Sequence, residues 1–134
     1  MSRRILLVDD EKDITNSIKT GLERHGFVVE PYNDPSEALA HIRPDGYDLA
    51  VFDIRMPRMS GFELYRRFKK ADGHTPVCFL TAFEIDASEF DKLFPDVPVT
   101  LLRKTITLSQ LVRRLNEIIE GAESAKRRPV IVKS

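Results

Sequence analysis

Asp53 closes the apolar run Leu49-Ala50-Val51-Phe52. The run is short and lacks polar alternation, so it reads as a strand buried on both faces. An unpaired carboxylate is costly to bury, so Asp53 needs an opening, a cation or polar partners. Other apolar runs end on reactive side chains too. Ile5-Leu6-Leu7-Val8 meets Asp9-Asp10-Glu11, Pro76-Val77-Cys78-Phe79-Leu80 meets Thr81, and the run over residues 97–102 meets Arg103-Lys104. Carboxylates that converge raise one another's pKa unless a cation intervenes. A hard, all-oxygen site with few protein ligands suits Mg²⁺, which keeps several waters. Beside a hydroxyl and an ammonium, a metal-bound carboxylate can receive a phosphoryl group. Mg²⁺ and Lys104 would supply positive charge, Thr81 a hydrogen bond, and Asp53 the nucleophile that becomes an aspartyl phosphate.

The elements that must position these groups follow from the patterning. Ile14, Ile18 and Leu22 recur at helical spacing and stop at His25-Gly26. Phe27 to Tyr32 reads as a short strand whose Pro31 suits an edge. Asp34-Pro35-Ser36-Glu37, Ser60-Gly61-Phe62-Glu63 and residues 107–110 carry helix-start signatures. Residues 84–94 predict a helix with Ile85, Phe90, Leu93 and Phe94 inward. The final helix, with Leu108, Leu111, Val112, Leu115, Ile118 and Ile119 on one face, is expected to end near Gly121. Strand and helix alternate five times. This predicts an α/β fold: a five-stranded parallel sheet, doubly wound with five helices. In such sheets ligands bind beyond the carboxyl ends of the strands, where strand order reverses. With the order 2-1-3-4-5, strands one and three flank that reversal, and Asp9, Asp10 and Asp53 converge there. The edge strand, ending near Tyr32, brings nothing comparable.

At 134 residues the chain makes one domain of ordinary size, 42% hydrophobic and 31% charged. Its 21 basic and 21 acidic residues balance, so no overall field argues for nucleic acid. One cysteine excludes an internal disulfide and suits the reducing cytoplasm. No apolar run nears the ~18 residues of a membrane span, and no signal-peptide pattern is present. Cys78 reads as a core residue, and His25, His41 and His74 as surface residues without metal spacing.

Taken together, Asp9-Asp10, Asp53 within Asp53-Ile-Arg-Met-Pro-Arg-Met-Ser-Gly61, Thr81-Ala82 and Lys104 resemble the receiver domain of two-component response regulators. The similarity covers roughly residues 3–121. It implies a flavodoxin-like receiver domain over 1–121, followed by a basic C-terminal tail or linker stub over 122–134. It also implies that Asp53 accepts phosphate from a sensor histidine kinase. Asp10, Asp53 and the Arg55 backbone carbonyl would hold Mg²⁺, with Asp9 acting through water. Thr81 and the residue at position 101 would switch, signalling to an effector protein or a C-terminal output domain. Such a domain is not an enzyme, since it performs only self-catalysed phosphoryl transfer and autodephosphorylation.

The chain departs from the family at three places. Lys104 is followed by Thr105 rather than proline, which predicts a trans peptide. The family's switch aromatic falls on Leu101, which has no ring to alternate. Residues 84–98 lack the usual Gly-Ala, which predicts a short or irregular fourth helix. Two other readings share the residues. One is a degenerate receiver that acts by constitutive protein binding. The other is a Mg²⁺-dependent phosphohydrolase using Asp53, although Arg55 stands where a second catalytic acid belongs. Arg55 and Arg58 flank the site as solvated or steering charges, and Phe83 could shade it from water.

Overall fold

The computed structural model describes residues 2–82, 85–94 and 99–127, the side chains of residues 87, 126 and 127 excepted. Phe83, the start of the predicted last strand at Val97-Pro98, and most of the predicted basic tail lie outside the described residues. Five strands and five helices alternate: β1 (Arg4–Val8), α1 (Lys12–Glu23), β2 (Val28–Tyr32), α2 (Pro35–Ala40), β3 (Leu49–Phe52), α3 (Gly61–Ala71), β4 (Val77–Thr81), α4 (Ala87–Leu93), β5 (Thr100–Arg103) and α5 (Leu108–Arg127). All strand pairs are parallel, in the order β2-β1-β3-β4-β5. The fold class and order are those expected.

Apart from Arg4 at the start of β1 and Thr81 at the end of β4, the central strands are apolar because each feeds two cores. Ile5, Leu7, Leu49, Val51, Cys78 and Leu80 face α1 and α5. The alternate residues Leu6, Val8, Ala50, Phe52, Val77 and Phe79 face α2, α3 and α4. This division along a period of two explains the absence of polar alternation. Cys78 is fully buried, and burial pushes its thiol up to about 12, as befits a core residue. Pro31 occupies the edge strand, where a missing N–H costs no central ladder bond.

The helix starts follow their signatures. Asp34 accepts from Ser36 N at 2.9 Å, and Ser60 Oγ accepts from Glu63 N at 3.2 Å. Thr107 and Gln110 form a full reciprocal box, at 3.1 and 3.2 Å. Gly26, at φ 87°, turns the chain from α1 into β2.

Two expectations need correction. The last helix runs through Gly121 to Arg127. Glycine ends a helix by adopting a left-handed conformation, and Gly121 has no positive φ. It costs an established helix only about 1 kcal/mol. Leu93 does not face inward but is 45% exposed. Phe90 and Phe94, one turn apart, take the inward face of α4 and pack with Phe62, Tyr65 and Phe79. The predicted shortness of α4 holds: it has 7 residues. No peptide bond among the described residues is cis, so Lys104–Thr105 is trans.

One turn at the far end of the sheet bears on stability. Asp72 caps the end of α3 and is 2% exposed. Its carboxylate accepts from Thr75 Oγ1 at 2.6 Å, Thr75 N at 3.0 Å, His74 N at 3.0 Å and Asp45 N at 3.1 Å. Burial pushes its pKa up, but these four donors outweigh burial and hold it below the ordinary 3.8. A carboxyl depressed in the folded chain adds stability above its unfolded value, and that contribution is lost as pH falls through the folded value. Asp72→Ala is expected to cost about 3 kcal/mol at neutral pH, because it strands buried donors. Urea denaturation of the two proteins should show the gap closing as the pH drops below 3.8.

Candidate functional site

The site is built from the residues that immediately follow the strands. Each is held by one more rung of the parallel ladder. Asp9 N donates to Tyr32 O at 3.1 Å, Asp53 N to Val8 O at 2.9 Å, and Lys104 N to Thr81 O at 3.0 Å. The sheet therefore fixes the backbone of three functional residues as if they were strand. Their side chains need not follow the inward packing of strand residues and turn into the crevice above β1, β3, β4 and β5.

Asp9, Asp10 and Asp53 each offer a carboxylate oxygen, and these atoms lie within 4.8 Å of one another. Asp9 and Asp53 are buried, at 2% and 5% exposure. Lys104 reaches into the group: its Nζ lies 2.7 Å from Asp9 Oδ2, 3.3 Å from Asp53 Oδ2 and 3.8 Å from Glu11 Oε1. Thr81, fully buried at the end of β4, lies beside the Asp53 carboxylate and favours its charged form. The second oxygen of Asp53, Oδ1, accepts from Ile54 N at 2.8 Å. Asp9 Oδ1 likewise accepts from Glu11 N at 3.0 Å.

The electrostatics express a shortage of positive charge. Burial, and then the charge of Asp9, push the Asp53 carboxyl above its ordinary value, against the pull of Lys104 and Thr81. Burial pushes Lys104 down, but its bonds and charge attraction to Asp9 and Asp53 outweigh burial and leave it raised. One ammonium thus serves two buried carboxylates, with Asp10 beside them. A clustered all-carboxylate donor set that is short of positive charge fits a small hard divalent cation.

Asp9, Asp10, Asp53, Thr81 and Lys104 are all brought to this one crevice. Arg55 lies two residues past Asp53 in the β3–α3 loop, with its side chain exposed. Leu101 is not in the crevice. It pairs in register with Phe79 and packs, half-buried, into the aromatic core under α4. Arg103, beside Lys104, donates to Ile85 O at 3.0 Å and so ties β5 to the segment leading into α4. His25, His41 and His74 are exposed, as expected.

Two residues were missed as contributors. In the sequence Gly61 closes the stretch that begins at Asp53 and opens a helix, and neither feature says what it packs against. Its N–H donates to Ile54 O at 2.7 Å, and a Cβ there would lie 2.1 Å from the Asp53 carbonyl oxygen. The loop after Asp53 thus closes against its own beginning, and Arg58, at φ 70°, helps it turn. A glycine at the first position of a helix, where most residues do better, was the available signal. The other is Asn33, directly after β2, whose amide reaches the backbone of Asp9. The edge strand does bring something to the site.

Among the described residues no helix is long and apolar enough to cross a membrane. The profile of the response regulator receiver domain family matches residues 5–116. The chain is 35% identical over 124 residues to the transcriptional regulatory protein TrcR of Mycobacterium tuberculosis, covering 92% of this chain and 48% of that protein. It is 42% identical over 82 residues to the regulatory protein VanRc of Enterococcus gallinarum, covering 61% of this chain and 35% of that protein. The chain spans no more than half the length of these two curated relatives. Among solved structures, a CheY-like response regulator receiver domain protein from Methanospirillum hungatei JF-1 matches with a TM-score of 0.82 and 28% identity, covering 93% of this chain and 99% of that one.

Proposed function

The chain belongs to the receiver domain family of two-component response regulators, and from that premise we propose that Asp53 is its phosphoacceptor, charged by a sensor histidine kinase. The observation that carries this reading is the grouping of Asp53 with Asp9, Asp10 and Lys104 at the ends of β1, β3 and β5. Asp10, Asp53 and the Arg55 backbone carbonyl would hold Mg²⁺ directly, and Asp9 would hold it through water. When bound, Mg²⁺ supplies positive charge that neutralises phosphoryl oxygens.

The chain's own residues do the rest. Ile54 N occupies Asp53 Oδ1 and fixes the carboxylate plane, leaving Oδ2 toward Lys104. An Asp53 oxygen attacks phosphorus while the bond from phosphorus to the donor breaks, and the donor leaves with that electron pair. Lys104, already on Asp53, and the Thr81 hydroxyl beside it would follow the new phosphoryl oxygens. In-line positioning and charge neutralisation are most of what this transfer requires. Hydrolysis of the acyl phosphate by water resets the domain, and no metabolite is turned over.

The signal would leave through Thr81 and the β4–α4 segment. Leu101 has no ring to swing, so the change at Thr81 would be read by repacking of the aromatic cluster under α4 and by the Arg103–Ile85 tie. The recipient is an effector protein or a C-terminal output domain. TrcR and VanRc, regulators by name, have more than half their length outside the matched part, which supports an output domain in the same polypeptide. The balanced charge of the chain supports signalling through protein contact rather than nucleic acid.

The test is intact mass after incubation with Mg²⁺ and a small acyl phosphate donor. Wild-type protein is expected to gain one phosphoryl group, and Asp53→Asn none. A wild-type protein that stays unmodified with every small donor and with a kinase phosphohistidine would defeat the reading.

A further inference from the structure

The acid-bearing loop between β1 and α1 lacks its own cap: Glu11, at the N-cap position of α1, makes no side-chain capping bond. It is held instead from the neighbouring strand. Asn33 Nδ2 donates to the Asp9 carbonyl at 2.8 Å and to Thr15 Oγ1 at 2.6 Å. The hydroxyl of Thr15, 1% exposed, donates in turn to the Glu11 carbonyl at 2.7 Å. The direction of this chain is fixed chemically, because both terminal groups are carbonyls and can only accept. Asn33 must therefore present its amide nitrogen, and the Thr15 hydroxyl must accept from it before donating onward. The two carbonyls so gripped lie on either side of Asp10.

A threonine hydroxyl bonded four residues back along a helix is commonplace and local. Here it also receives Asn33, so the contact crosses from α1 to the end of β2. Asp9 N completes the attachment by donating to Tyr32 O at 3.1 Å. The whole stretch that presents Asp9 and Asp10 to Asp53 is thereby hung on the edge strand, although neither Asn33 nor Thr15 is part of the carboxylate cluster.

We propose that Asn33 and Thr15 are positioning residues that pre-set the Asp9-Asp10-Glu11 loop for Mg²⁺, an inference that rests on the reading of the acid cluster as a Mg²⁺ site. Groups that orient ligands from behind typically govern metal affinity by about 10–100-fold. They do so because an ion that demands regular geometry tolerates little displacement of its carboxylates.

The experiment is calorimetric titration of the full chain with magnesium chloride, beside amide hydrogen exchange of the Mg²⁺-free protein. Asn33→Ala and Thr15→Val are each expected to weaken Mg²⁺ binding about tenfold and to speed exchange at Asp10 and Glu11. The double variant should lose less than the product of the two, since both belong to one chain of bonds. Thr15→Ser, which keeps the hydroxyl, should stay near wild type. Asp72→Asn, at the opposite end of the sheet, should lower the urea midpoint while leaving the Mg²⁺ Kd unchanged. This separates positioning from general loss of stability. Wild-type Mg²⁺ affinity in both Asn33→Ala and Thr15→Val would overturn the proposal while leaving the Mg²⁺ site standing. A wild-type chain that binds no Mg²⁺ would overturn both.

Discussion

Lys104→Met is expected to slow phosphoryl incorporation at Asp53 by at least about 100-fold, the usual loss when a preplaced charge donor is removed from a transfer site. It is also expected to destabilise the Mg²⁺-free protein. Methionine keeps the length and apolar stem of lysine, so the change isolates the ammonium. That ammonium is 2.7 Å from Asp9 and 3.3 Å from Asp53, with side-chain exposures of 12%, 3% and 6% for lysine and the two acids. Removing one partner of a fully buried ion pair costs about 3–5 kcal/mol, because the remaining charge is stranded. Here the crevice opens beside exposed Glu11, so about 2 kcal/mol is the better expectation at neutral pH. Mg²⁺ should restore most of the stability, since it supplies the missing charge, and little of the transfer rate. Urea midpoints with and without Mg²⁺, together with a mass-based time course, read both effects. Unchanged rate and stability would remove Lys104 from the site.

Gly61→Ala is expected to damage the site without touching a charged group. The added methyl would meet three backbone atoms: the Asp53 carbonyl oxygen at 2.1 Å, the Asp53 carbonyl carbon at 2.9 Å and Ile54 Cα at 2.9 Å. No rotamer relieves a clash with backbone, so the loop or the end of β3 must move. Alanine favours the helix by about 1 kcal/mol, but overpacking against a fixed backbone costs about 1–3 kcal/mol or more. The clash should win. The functional effect should exceed the loss of stability, since a displacement of about 1 Å at a reacting group can cost about 100-fold in rate. Gly121→Ala is the matched control. It lies inside α5 with nothing within 4 Å of its added Cβ, so it should stabilise the chain by about 0.5–1 kcal/mol and leave transfer unchanged. A Gly61→Ala protein that transfers at the wild-type rate would show that the loop has slack.

What could be read from the chain alone follows a physical divide. Asp9, Asp10, Asp53, Thr81 and Lys104 were legible because a parallel sheet buries its strands on both faces. The strands then appear as apolar runs, and the first one or two polar side chains after each run mark the carboxyl edge. The capping pair Thr107 and Gln110 was legible because its chemistry is contained in four residues. The contacts of Gly61, Asn33 and Asp72 were not, because each acts on a segment brought near only by the fold. Gly61 is defined by the carbonyl of Asp53, Asn33 by that of Asp9, and Asp72 in part by the N–H of Asp45. The end of α5 was misjudged for a related reason. A glycine in sequence signals freedom to turn, and only the backbone says whether the freedom is used. Leu101 could be located as the departure from the family pattern, yet its place in the aromatic core depends on Phe62, Phe79, Phe90 and Phe94 meeting there.

These observations reduce to one claim, that the carboxylate at the end of β3 takes up a phosphoryl group. Reduction with borohydride, after exposure to Mg²⁺ and an acyl phosphate, converts an aspartyl phosphate to homoserine at the modified position. Peptide mass mapping should then find homoserine at position 53 in the wild-type chain, and no homoserine in Asp53→Asn. Homoserine at another aspartate in the wild-type chain, or a phosphoryl adduct persisting in Asp53→Asn, would contradict the assignment.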